Sequence, residues 1–181
     1  MVGGDASCAK LGTQIKDFGD DFFLFTPMLF EAGQLFISPA INDISDWEIL
    51  VRHKVDTIID LEGGIDVGVP TVPNQYLYIY FPIFDEDLPN LPKLHAIGNL
   101  GASIIRSGHR VLSHCGMGFN RSALVAGLIL NKLGMPGSKV VERLRERRPG
   151  ALFNDCFAAY LESLGTEQHL ASLPRDVPDE N

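Results

Sequence analysis

Cysteine is scarce in this sequence, with three in 181 residues, at positions 8, 115 and 156. So few, odd in number and widely spaced, they form neither a disulfide framework nor a zinc pattern. The five histidines, His53, His95, His109, His114 and His169, show no paired ligand spacing. No metal and no cofactor is therefore expected. Positive charge is also in deficit: 15 Lys and Arg against 23 Asp and Glu leave a net charge of -8. Proteins that grip nucleic acid by its phosphates present a basic face, so the balance argues against RNA, DNA and anionic membranes as partners. Long apolar runs are missing as well. The stretch Leu124 to Leu130 is closed by Asn131 and Lys132, far short of the ~20 residues of a membrane span. Met1 to Lys10 lacks the basic and apolar regions of a signal peptide, and the expectation is a cytoplasmic protein. Repeats and low-complexity tracts are absent.

What is present suits one globular domain. Hydrophobic residues make up 45% and charged residues 21%, ordinary for a chain with a real core. Residues 1–20 are small and polar and read as a loose arm. Residues 166–181, with Pro174 and Pro178, read as a loose tail, leaving 21–165 as the folded domain. Within it, strands and helices alternate. Phe22 to Phe25, Gln34 to Ser38, Val55 to Leu61, Tyr76 to Phe84 and Arg110 to His114 read as strands. Tyr76 to Phe84 is apolar on both faces, which suits a sheet covered on both sides, and its Tyr76, Tyr78 and Tyr80 alternation reads as sheet packing. Ser45 to Lys54 reads as a helix. A second carries Leu94, Ile97, Leu100 and Ile104 at helical spacing. Asn120 to Leu133 is apolar nearly all round and should be central. Ser138 to Arg148 is amphipathic through Val140, Val141 and Leu144. A last helix, capped by Asn154 or Asp155, carries Phe157, Tyr160, Leu161 and Leu164. The pattern predicts an α/β domain, a mostly parallel sheet flanked by helices. The site of such folds lies at the carboxyl ends of the parallel strands. The loops Leu61 to Asp66, Asp85 to Asn90 and Cys115 to Arg121 should meet there.

The last of these loops carries the chemistry. It reads His114-Cys115-Gly116-Met117-Gly118-Phe119-Asn120-Arg121-Ser122. A short glycine-bearing turn between a strand and a helix can aim successive backbone N–H groups inward as an anion nest. The helix N-terminus adds donors and partial positive charge. Gly116 and Gly118 permit backbone angles that bulkier residues resist. Arg121 can grip two oxygens of a phosphate in bidentate fashion. A thiol at Cys115 in such a cup should have a depressed pKa and act as a nucleophile on phosphorus. His114 is expected to hold the loop's shape, and Ser122 to donate to the Cys115 sulfur. For Phe119, either contact with an aromatic leaving group or a purely backbone role fits.

This combination resembles the signature of the cysteine-based protein tyrosine phosphatases, and within them the small dual-specificity phosphatases. The likeness runs from about Gln34 to Leu164 and is strongest over residues 80–91, 110–134 and 143–161. The resemblance implies a two-step mechanism: Cys115 attacks phosphorus, a mobile acid protonates the leaving oxygen, and water hydrolyses the phosphocysteine with that acid now acting as base. In Phe84-Asp85-Glu86-Asp87-Leu88-Pro89-Asn90-Leu91, Asp85 stands where the family carries its acid, with Asp87 as the alternative. The resemblance also makes Arg148 and Asn154, in the Arg-Pro turn and after it, supports of the phosphate loop.

The departures are specific. Ser113 stands where the family has a β-branched apolar residue. Asn120 stands where a small polar residue is usual; asparagine can cap the helix and hydrogen-bond within the loop, so function is expected to survive. The loop has no lysine, which argues against phosphoinositides. Gly118 to Arg121 also resembles the cysteine-dependent RNA 5′-triphosphatases. Asp85 and the acidic net charge favour a phosphomonoesterase, with a phosphorylated protein or small phosphomonoester as partner. Other readings are a phosphopeptide-binding pseudophosphatase and a rhodanese-type loop. Cys156 is either a resolving thiol for Cys115 or, as expected, a buried helical cysteine. Cys8 should be an exposed thiol. Glu62, Gly63, Gly64 and Asp66 either shape the pocket rim or form a plain loop.

Overall fold

The computed structural model describes residues 28–30 and 34–165. The expected arm, tail, Cys8 and the strand Phe22 to Phe25 lie outside the described residues. Among the described residues, five strands form one sheet in the order β1-β2-β5-β3-β4. They are β1 (Met28–Phe30), β2 (Leu35–Ser38), β3 (Thr57–Asp60), β4 (Leu77–Tyr80) and β5 (Val111–His114). β1 runs antiparallel to β2, and the other pairings are parallel. Register aligns Ser38 and Asp60 with His114, and Tyr80 with Asp60. The ends of four strands thus form one ledge, and the loops after them share it.

The inner strands β2, β3 and β5 are buried at every position, as parallel strands covered on both faces are. Their side chains alternate between two cores. Leu35, Ile37, Ile59, Leu61, Val111 and Cys115 face the larger one, built from the helices that follow. These are α2 (Leu91–Arg106), α3 (Arg121–Lys132), α4 (Gly137–Arg147) and α5 (Asp155–Ser163). Phe36, Ile58 and Leu112 face the smaller core under α1 (Ile44–Arg52), with Trp47 and Leu50. Asp43 caps α1 by accepting from Ser45 N–H.

α3 is the axle of the larger layer: every residue from Ser122 to Lys132 is buried. α2 packs against it closely. A Cβ on Gly98 would meet Leu128 at 2.7 Å, and one on Gly101 would meet Ile129 at 2.5 Å. The buried face of α2 is therefore Leu94, Gly98, Gly101, Ala102 and Ile105. Leu100, expected on that face, is exposed. The two glycines carry no hydrophobic signal, which displaced the reading of the stripe.

β4 differs from expectation. It is four residues long, lies at the sheet edge, and leaves Leu77 and Tyr80 exposed. Its apolar composition does not mark a strand covered on both sides. Pro82 lacks an N–H for the ladder, and the chain leaves the sheet there for the Asp85 loop. No helix among the described residues is long and apolar enough to cross a membrane.

Candidate active site

The three loops expected at the strand ends do meet, and Arg121 is the hub. Its Nη1 donates to the carbonyls of Leu61 at 3.1 Å and Ile83 at 3.3 Å, and its Nη2 to Glu62 Oε2 at 2.9 Å. These partners lie after β3 and after β4, so one guanidinium joins both loops to the first turn of α3. Arg121 Nε has no hydrogen-bond partner. Burial opposes ionisation of Glu62, but the Arg121 charge and the N–H groups of Gly63 and Gly116 outweigh it. They hold the Glu62 carboxyl below its ordinary range. Glu62, left open between rim and plain loop by the sequence, thus sits at the lip of the cup. A Cβ on Gly116 would meet its Oε2 at 2.6 Å.

Cys115 is a free thiol, buried beneath that lip. Its Sγ accepts from the Gly118 N–H at 3.2 Å and lies 3.5 Å from Ser122 Oγ. Both contacts come from the loop and the first turn of α3, the donor-rich end of the helix. Gly118 has φ +70°, and a Cβ there would reach 2.6 Å from the Ser38 carbonyl. Glycine is thus required twice, by conformation and by space. Gly116 O accepts from Ala40 N–H at 3.3 Å, so the loop leans on the chain leaving β2. The Ser113 hydroxyl, the departure within β5, donates to Ser122 O at 3.2 Å and ties the strand to the helix it feeds.

A second layer holds the loop from outside. Arg148 is buried, donates from Nη2 to Met117 O at 3.1 Å, and lies 3.9 Å over the Phe119 ring. Burial pushes the Arg148 pKa down to about 10, and the Cys115 charge acts the other way. Phe119 is 5% exposed and its carbonyl accepts from Leu152 N–H. It is a wall beneath Arg148, with no face open to a leaving group. Met117, 41% exposed, is the side chain of the loop that faces outward.

Asn120 does not cap α3 with its side chain. Its Nδ2 donates to Asp85 Oδ2 at 3.0 Å, and its Oδ1 accepts from Asn154 N–H at 3.0 Å. Asn154 in turn caps α5 through Cys156 and Phe157 N–H. Its Nδ2 reaches Asp85 Oδ1 at 3.3 Å and Glu86 O at 3.0 Å. Each Asp85 oxygen therefore faces one amide, with the carboxyl exposed at the rim of the loop. Asp87 is exposed in the wall of a neighbouring cleft with Phe81, Leu88 and Lys93. Cys156 is disulfide-bonded. The expected free helical thiol is corrected, and Cys156 is not a partner of Cys115, which is free.

The sequence reading missed a cluster behind the loop. His114 Nε2 is 2.8 Å from Asp66 Oδ2 and 3.7 Å from Asp60 Oδ1. The Tyr78 hydroxyl joins both carboxylates, so Tyr78 is more than sheet packing. Asp60, Asp66 and His114 bring donor atoms within 4.8 Å of one another. The available signal was Asp60 itself, an acid closing a β-branched run that both sheet faces bury.

No protein-family model matches the sequence, and no curated protein sequence matches it. Solved structures do. A mouse putative dual specificity phosphatase, crystallised with zinc tungstate, is 24% identical over 92% of this chain and 100% of its own, with a TM-score of 0.65. Human DUSP28 is 22% identical over 81% of this chain and 95% of its own, at 0.64. A human tyrosine phosphatase-like serine/threonine/tyrosine-interacting protein is 22% identical over 80% and 95%, at 0.62. The chain has the fold of the small dual-specificity phosphatases.

Proposed function

We propose that this protein is a cysteine-dependent phosphatase that hydrolyses phosphomonoesters, with phosphoproteins as its substrate class. One observation carries the reading. A free thiol lies before a buried helix and accepts from a loop N–H, Arg121 opens that helix, and Asn120 between them holds the Asp85 carboxyl. In the proposed reaction, Cys115 Sγ forms a bond to phosphorus as the bond to the leaving oxygen breaks. Asp85 gives that oxygen its proton. Water then attacks the phosphocysteine, losing a proton to Asp85, and phosphate departs with the thiolate restored. Loop N–H groups and Arg121 balance the charge on the transferring group. No step needs a cofactor.

The rim argues for one phosphate rather than several. Glu62, Asp85, Glu86 and Asp87 lie on the loops around the cup, and the cup has no lysine. A triphosphate or inositol polyphosphate would meet these carboxylates, whereas a monoester on a protein side chain places one anion in the cup. The test uses wild type and Cys115→Ser against an aryl phosphate, phosphotyrosine and phosphoserine/threonine peptides, phosphoinositides and 5′-triphosphorylated RNA. Wild type should release phosphate from the aryl ester and the peptides, and Cys115→Ser should bind without turnover. Preference for the RNA would favour the triphosphatase reading. Binding with no release by wild type would make the protein a phosphopeptide-binding module.

A further inference from the structure

The cluster behind the loop has a proton count that its geometry fixes. Asp60 ends β3, Tyr78 lies in β4 and His114 ends β5, all on the sheet face toward α1, and Asp66 closes over them from the loop after β3. The side chains of His114, Asp60 and Asp66 are 0%, 0% and 4% exposed. Trp47 Nε1 donates to Val67 O at 2.8 Å and pins the loop that carries Asp66. The Tyr78 oxygen lies 2.5 Å from Asp60 Oδ2 and 2.9 Å from Asp66 Oδ2, and it accepts from Asp66 N–H at 3.1 Å. Tyr78 has a single proton to give. Two ionised carboxylates would both require it, and the one left without would face oxygen lone pairs at hydrogen-bonding distance, out of reach of water. One of the two acids must therefore carry a proton.

His114 decides which. Its Nε2 is nearer Asp66 than Asp60, 2.8 Å against 3.7 Å. Nδ1 has no hydrogen-bond partner, which leaves Asp66 as the group that orients the ring. Charge on Asp66 and a proton on Asp60 satisfy the contacts of both carboxyls with the Tyr78 hydroxyl. Asp60 donates to Tyr78, Tyr78 donates to Asp66, and Asp66 faces the His114 ring at 2.8 Å. Asp60 Oδ1 keeps the Glu62 N–H at 2.8 Å, as the carbonyl of a neutral acid can. Burial also raises the Asp60 pKa, in the same direction.

We propose that Asp66 is a positioning residue for the catalytic loop: the ionised member of a buried cluster whose other acid, Asp60, is neutral, it holds His114 and so the backbone that presents Cys115. His114 immediately precedes the nucleophile, and its carbonyl accepts from Leu61 N–H at 3.1 Å. A released ring would loosen both the loop and the strand end beside it. The positioning role rests on the phosphatase reading; the proton assignment does not.

The two acids should answer the same substitution in opposite ways. Asp60→Asn reproduces a neutral acid, with an amide donor for Tyr78 and a carbonyl for Glu62 N–H, and should keep the melting temperature and kcat on an aryl phosphate. Asp66→Asn removes the charge facing His114. It should lower kcat by about 10- to 100-fold with KM unchanged, and should move the His114 ring resonances in NMR. Retained kcat in Asp66→Asn, or an equal loss in Asp60→Asn, overturns the proposal. Carboxyl carbon shifts of the wild-type protein at neutral pH give a decision that needs neither a folded variant nor a substrate. They should report Asp60 protonated and Asp66 ionised, and the reverse pattern, or two ionised acids, refutes the assignment. Zinc binding by wild type that is lost in Asp66→Asn and kept in Cys115→Ser would also refute it, because a cation would then stand in place of the shared proton.

Discussion

At the scale of single residues, the loop from Cys115 to Arg121 depends on side chains that do two jobs. Asn154 is the clearest. Its carbonyl oxygen caps α5, while its amide nitrogen faces Asp85 and the Glu86 carbonyl. Substitution can separate these roles. Asn154→Asp keeps a good cap, so thermal stability should stay within about 0.5 kcal/mol of wild type. It sets a carboxylate against Asp85, so kcat should fall. Asn154→Ala should lose about 1 kcal/mol of stability as well. Thermal melts beside steady-state assays separate the two variants. For Asp85 itself, Asp85→Asn should lower kcat about 10²- to 10⁴-fold and remove the limb of the pH–rate profile that reports the protonated acid. A variant with full kcat and both limbs intact would transfer the role to another group, with Asp87 the next to test.

At the scale of elements, sequence patterns gave most helices and inner strands to within a residue or two. Their failures were local and physical. β4 looked doubly covered because composition reports apolar content, and edge position depends on which strand pairs with which. The α2 face was misplaced because Gly98 and Gly101 pack through absence of bulk, which no hydrophobic pattern registers. The same close packing recurs where α4 meets α5. A Cβ on Gly137 would lie 1.9 Å from the Leu161 carbonyl oxygen and 2.6 Å from that of Leu164. Backbone cannot swing aside as a side chain can, so Gly137→Ala should cost at least about 2 kcal/mol. Denaturant unfolding measures this. The residual folded protein should keep its kcat, since Gly137 touches none of the loops at the strand ends.

At the scale of the whole molecule, the site is a junction between layers that meet at one edge of the sheet, so its ion pairs also contribute to folding. Glu62 has its carboxyl held below its ordinary value of 4.5 despite partial burial, through Arg121 and the Gly63 and Gly116 N–H groups. Its contribution to stability is therefore present above pH 4.5 and lost as pH falls through the lower folded value. Melting temperature should drop across that acidic window in wild type, and Glu62→Gln should show a shallower drop. An identical acid limb in the two proteins would mean that the pair contributes nothing. The sequence by itself determined the layered α/β plan and the Cys115 to Arg121 loop, because periodicity, glycine placement and residue order are local properties of the chain, and the family resemblance added Asp85 as acid candidate. Tertiary structure decided what those residues touch. It joined Asn120 to Asp85 and Asn154 rather than to the end of α3, turned Phe119 inward beneath Arg148, brought Glu62 onto Arg121, and gathered Asp60, Asp66, Tyr78 and His114 behind the thiol. Those partners come from four different segments, and only strand order and register set them side by side.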